Sequence, residues 1–266
     1  MTTTARPDSP TQAEREARRK DFHRQPPNPN GMNLAILAAA LLPALAAPQA
    51  AGHATRNVQG WTVHIAPALL ERQAEATEKA LGLLTVQLKE VEAKVPAEAV
   101  AKLRQVALWF SPEYPGTGPK AEYHPGAGWL RDNGRNPAMA KAVEFTNIRI
   151  FEAETRRMPN FALHELAHAY HDRFLPDGFQ NAEIREAYER AKAGGGYDKV
   201  ERQDAEGRKT LDKAYALVNP MEFFAETTEA YFSRNDFFPF DAAELRAHDP
   251  ETFALLGRFW GVKPPA

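Results

Sequence analysis

Phe161-Ala162-Leu163-His164-Glu165-Leu166-Ala167-His168-Ala169-Tyr170 is the stretch on which the reading of this chain turns. It holds no glycine and frames an H-E-x-x-H motif with apolar residues, so it predicts a buried helix. On a helix, residues i and i+4 project from one face about 6 Å apart. Both imidazoles can then reach one zinc ion at about 2.0–2.1 Å. Glu165 stands one residue round the helix, placed to touch a water rather than the metal. The chain has no cysteine, which removes thiolate ligands, disulfides and a cysteine nucleophile together. A metal here must be held by histidines and carboxylates.

A hydrolytic zinc site takes three protein ligands and leaves a fourth position open. No third histidine follows at the H-E-x-x-H-x-x-G-x-x-H spacing, because the tenth residue after His164 is Phe174. His171 lies on the same stripe but about 10 Å further along the axis, which suits a helix-surface or supporting role better than a ligand. The remaining source is a carboxylate on a second helix. Asn219-Pro220-Met221-Glu222-Phe223-Phe224-Ala225-Glu226-Thr227-Thr228-Glu229 sets Glu222, Glu226 and Glu229 at i, i+4 and i+7, on one helix face. Three carboxylates on an otherwise aromatic helix are costly unless something positive meets them. A solvated acidic face accounts for Glu229, but poorly for Glu222 and Glu226, which bracket Phe223 and Phe224. Asp172 reads as an acceptor at the helix end or, more simply, as a surface carboxylate.

Outward from these two helices the pattern is mixed. Val58 to Ile65 reads as a strand with Trp61, Val63 and Ile65 on one face. Pro67 opens a long helix to about Lys94, a shorter helix follows Pro96, and Val106–Phe110 reads as a buried strand. Residues 112–137, rich in proline, glycine and aromatics, read as a long loop. Val143–Phe151 alternates apolar and polar residues and predicts a strand. Helices are expected over roughly 159–173, 180–193, 219–233, 241–248 and 250–260, with a hairpin within 197–216 that turns at Asp204-Ala205-Glu206-Gly207. The fold class is α+β.

The first fifty residues read differently. Residues 1–31 are polar, end in Gln25-Pro26-Pro27-Asn28-Pro29-Asn30-Gly31, and read as disordered or as an extension ahead of a true start at Met32. Residues 32–50 read as a secretory signal: Leu34–Ala47 carries no charge over fourteen residues, and Ala44-Leu45-Ala46 is a cleavage site. The run is shorter than the roughly 20 residues of a membrane span. A secreted or periplasmic, monomeric chain is expected, not an integral membrane protein. The rest, residues 55–266, reads as one domain. Net charge is −2 with no basic stripe, so nucleic acid is not expected as a partner.

The pairing of His-Glu-Leu-Ala-His with a downstream Asn-x-x-Glu-Phe-Phe-Ala-Glu helix resembles the lethal-factor-like family, the gluzincin metallopeptidases related to the catalytic domain of anthrax lethal factor. The motifs carry the resemblance, over roughly residues 143–235. It implies a zincin-like fold, with a small mixed sheet and the H-E-x-x-H helix in an upper lobe and a mainly helical lower lobe. It also implies Zn2+ held by His164, His168 and Glu222, with Glu226 supporting a histidine ligand. Tyr215, seven residues before Glu222, falls where that family keeps a tyrosine beside the zinc. The strand ending at Phe151 is similar to the edge strand of a zincin cleft, or is simply a sheet strand with one solvated face. The expected activity is peptide-bond hydrolysis by a water activated at the zinc. Glu165 would be general base and Tyr215 the donor to the oxyanion. The alternative is a catalytically silent zinc-binding module of the same fold.

Overall fold

The computed structural model describes residues 52–263. The segments 1–31 and 32–50, read above as an extension and a signal, lie outside the described residues.

A five-stranded mixed sheet forms one layer. Strands β1 (Ala54–Val58) and β2 (Trp61–Ile65) make an antiparallel hairpin. Its turn falls on Gln59 and Gly60, both at positive φ (51° and 87°), as a two-residue turn of that hand requires. The single strand expected from Val58 is therefore two strands folded back at Gly60. β3 (Leu108–Phe110) runs parallel to β2, β5 (Ala142–Phe145) parallel to β3, and β4 (Ala121–His124) antiparallel to β5, giving the order β1-β2-β3-β5-β4. Strand alternation sends Trp61, Val63, Ile65, Leu108, Phe110, Val143 and Phe145 into the main core.

That core is closed by helices. α1 (Pro67–Arg72) breaks at Gln73 and continues as α2 (Ala74–Lys94), whose Leu84, Leu88 and Val91 are buried; α3 (Ala97–Leu103) follows. The expected long loop holds both β4 and α4 (Ala127–Asp132). The expected strand Val143–Phe151 is a correction: β5 stops at Phe145, a 3-10 turn covers Ile148–Ile150, and α5 (Phe151–Arg157) begins. Ile148 and Phe151 are both buried, and their three-residue spacing puts them on one face of a helical turn but on opposite faces of a strand. β5 lies inside the sheet, whose edges are β1 and β4, so the segment ending at Phe151 supplies no edge strand.

α6 (Phe161–Phe174) carries the H-E-x-x-H motif, and every residue from Phe161 to His171 is buried. After it come α7 (Ala182–Gly194), the hairpin β6 (Val200–Gln203) and β7 (Lys209–Asp212), then α8 (Pro220–Phe232), α9 (Ala242–His248) and α10 (Pro250–Trp260). Among the described residues, no helix is long and apolar enough to cross a membrane.

Candidate metal centre

Two caps set the depth of the two helices that carry His164, His168 and Glu222. The Asn160 side chain accepts from Leu163 N (3.0 Å) and donates to Gln87 O (3.0 Å) and Glu90 (2.9 Å), while Gln87 Oε1 accepts from Ala162 N (3.0 Å). α2 thereby fixes where α6 starts. In α8, Pro220 takes the first helical position and Asn219 Oδ1 accepts from the amides of Met221 and Glu222. This is the asymmetry expected of a helix start, and it presents Glu222 in the first turn towards α6.

The result is a triangle of donor atoms. His164 Nε2 lies 3.2 Å from Glu222 Oε2 and 3.2 Å from His168 Nε2, and His168 Nε2 lies 3.6 Å from Glu222 Oε1. Ligands about 2.0–2.1 Å from zinc at tetrahedral angles sit about 3.3–3.4 Å apart, so the three edges fit one ion. All three side chains are buried.

Behind the triangle, the carboxylate on His164 Nδ1 is Glu229, at 3.0 Å; Glu226 Oε1 is 3.7 Å away, beyond hydrogen-bond reach. The expectation that Glu229 faces solvent is corrected, since Glu229 is 0% exposed; Glu226, expected to support a histidine, is buried at ion-pair distance from the same nitrogen. A proton on Nδ1 given to Glu229 leaves the Nε2 lone pair facing the triangle. Burial opposes a charge on His164, but Glu222 and Glu229 outweigh it and raise its pKa well above the ordinary value. Glu226 is pushed up by burial and by Asp236; Glu229 is pushed up by burial, against the pull of His164. Glu226 Oε2 and Glu229 Oε1 are buried without a hydrogen-bond partner. Arg157 and Arg202 meet Asp236. A cluster this rich in buried carboxylates must hold protons or a cation, and two imidazole nitrogens and a carboxylate at zinc-ligand spacing make a divalent ion a good fit.

Glu165 is buried, and its Oε2 accepts a 2.8 Å hydrogen bond from the backbone N–H of Tyr123 on β4. Tyr215 lies in the 3-10 turn Tyr215–Leu217 that leads into α8, half-buried against the apolar cluster around Phe223. His171 is neither a ligand nor on the surface. It sits fully buried between Phe179 and Phe224, each ring 5.1 Å away, and burial followed by the charge of His168 lowers its pKa to about 3. Asp172 is not a free surface group: Tyr123 Oη donates to it at 2.6 Å and Lys141 pairs with it.

A second His/Glu constellation, Glu122, His124 and Glu144, lies on the outer face of the sheet. Arg135 Nη1 already bridges Glu122 and Glu144 (3.0 Å to Glu144), and Lys120 pairs with Glu122 at 2.6 Å. The guanidinium fills the place an ion would take.

No curated protein and no solved structure matches the chain. One family model does: that of the glucose-regulated metallo-peptidase M90, over residues 146–260. This span contains α6, α8 and Tyr215. The match supports a metallopeptidase and does not carry the lethal-factor-like assignment. Over residues 146–260, which include the candidate donors His164, His168 and Glu222, the sequence of this chain is similar to the M90 metallopeptidases.

Proposed function

We propose that the chain is an exported zinc metallopeptidase that cleaves peptide bonds, with the zinc held by His164, His168 and Glu222. The observation that carries this reading is the triangle of donor atoms with edges of 3.2, 3.2 and 3.6 Å. His164, His168 and Glu222 would hold the zinc, which would supply polarisation of a peptide carbonyl and a lowered pKa for a water, towards 7. Glu165 takes the proton of the attacking water and passes it to the leaving amine. Tyr215 donates to the oxyanion; this role and that of Glu222 follow the lethal-factor-like resemblance. Glu229 fixes the tautomer of His164.

The test is hydrolysis of a peptide library with and without chelator, beside elemental analysis of the purified chain. Glu165→Gln should retain one zinc per chain and lose hydrolysis, because the near-isosteric amide cannot accept the water proton. Zinc without hydrolysis in the wild type would make the chain a silent binding module. Export rests on the apolar run and Ala44-Leu45-Ala46; protein recovered outside the cytoplasm should begin between Ala47 and Gly52.

A further inference from the structure

We propose that Tyr123 is a positioning residue whose backbone N–H fixes the carboxylate of Glu165, so that this edge-strand amide serves the general base and not the substrate. The proposal rests on the reading of Glu165 as general base.

The register of β4 decides which way its amides point. Thr146 N donates to Lys120 O and Lys141 N to His124 O, and Glu122 is opposite Glu144. Residues 120, 122 and 124 therefore spend their backbone groups on β5, and 121 and 123 turn theirs to the free edge. An extended peptide adding to β4 would pair with that edge. Its Tyr123 donor is already taken, at 2.8 Å, by Glu165 Oε2.

The donor is held as firmly as the acceptor. Tyr123 Oη donates to Asp172 Oδ2, which Lys141 also engages, and the Lys141 amide bonds back to β4 at His124 O. Glu165 and Asp172 are seven residues apart on α6, about 10 Å along the axis. One tyrosine thus grips the motif helix at two points two turns apart, its amide on the first and its phenol on the second. With one Glu165 oxygen fixed this way, the direction of the other is set as well. A catalytic base has to be held within about 0.5 Å of its working geometry.

The decisive variant replaces Tyr123 by its α-hydroxy analogue, turning the amide into an ester that lacks only the N–H. The control is the same exchange at Ala121, which also faces the free edge and weakens the ladder in the same way. At 123, kcat should fall about tenfold or more, with KM and zinc content unchanged; at 121, kcat should hold. Tyr123→Phe, which frees the phenol end only, should lower kcat less. A rise in KM with kcat unchanged, an unchanged kcat, or equal losses at 121 and 123 would each overturn the proposal. A second readout needs no activity. Exchange of the Tyr123 amide in the as-purified full chain should be slow in the wild type and in Glu165→Gln, whose carbonyl still accepts, and fast in Glu165→Ala. Equal rates in all three also overturn it. A wild type with no peptidase activity would instead sink the proposed function, and the exchange rates would still decide the contact.

Discussion

Glu229 Oε2 stands 3.0 Å from Nδ1 of His164, on the opposite side of the ring from Glu222, 3.2 Å from Nε2. The two carboxylates of one helix thus address the two nitrogens of one imidazole. Partners of this kind typically contribute 10–100-fold to metal affinity. Glu229→Ala should weaken zinc binding by about that factor, and Glu229→Gln, which still accepts from Nδ1, by less. Glu226→Gln should do less than either. Chelator competition measures all three, and a larger effect at 226 would return the supporting role to Glu226.

The histidine pair was legible in sequence because its spacing is local to one helix. The start of α8 was legible for the same reason, through Asn219 and Pro220. Glu229 was misread because its partner is 65 residues away, and an i+7 carboxylate on a helix looks the same whether it meets water or an imidazole. β4 was hidden for a related reason. Ala121-Glu122-Tyr123-His124 is buried on both faces, but one face meets the ion network of Lys120, Arg135 and Glu144, so no apolar alternation marks the strand. Non-local charge pairing overrode the periodic signal in both places.

Glu222→Ala removes one of the three proposed ligand side chains and should cost more zinc affinity than any Glu229 change. His171→Phe should retain zinc, since His171 packs between Phe179 and Phe224. Elemental analysis after dialysis separates them; equal loss in both would mean the third ligand has been misassigned.

Tyr215→Phe tests the oxyanion role. The ring packs against the cluster around Phe223, so removing the hydroxyl should leave stability nearly unchanged. A lost oxyanion donor costs about 10²–10³ in kcat. A drop of that size, with KM and zinc content steady, assigns the contact to the transition state. Near-wild-type kcat removes Tyr215 from the site.

His171 should also make the fold acid-sensitive. Its folded-state pKa, about 3, lies below the ordinary 6.5 because burial, and then the charge of His168, disfavour the imidazolium. Between those two values the unfolded chain binds a proton that the fold excludes. The contribution of a neutral His171 is therefore fully present above about pH 6.5 and is lost as the pH falls towards 3, at up to about 1.4 kcal/mol per pH unit. Phenylalanine at 171 keeps an aromatic ring between Phe179 and Phe224 and has nothing to titrate. Urea unfolding of both proteins, each held in chelator from pH 8 to 4, cancels the titrations they share, including those of His164 and the α8 glutamates. The stability of His171→Phe relative to wild type should be flat above pH 7 and should climb steadily below 6.5. Parallel curves through that window would mean that His171 is protonated as easily in the fold as in the unfolded chain, and that its burial between two rings carries no electrostatic cost.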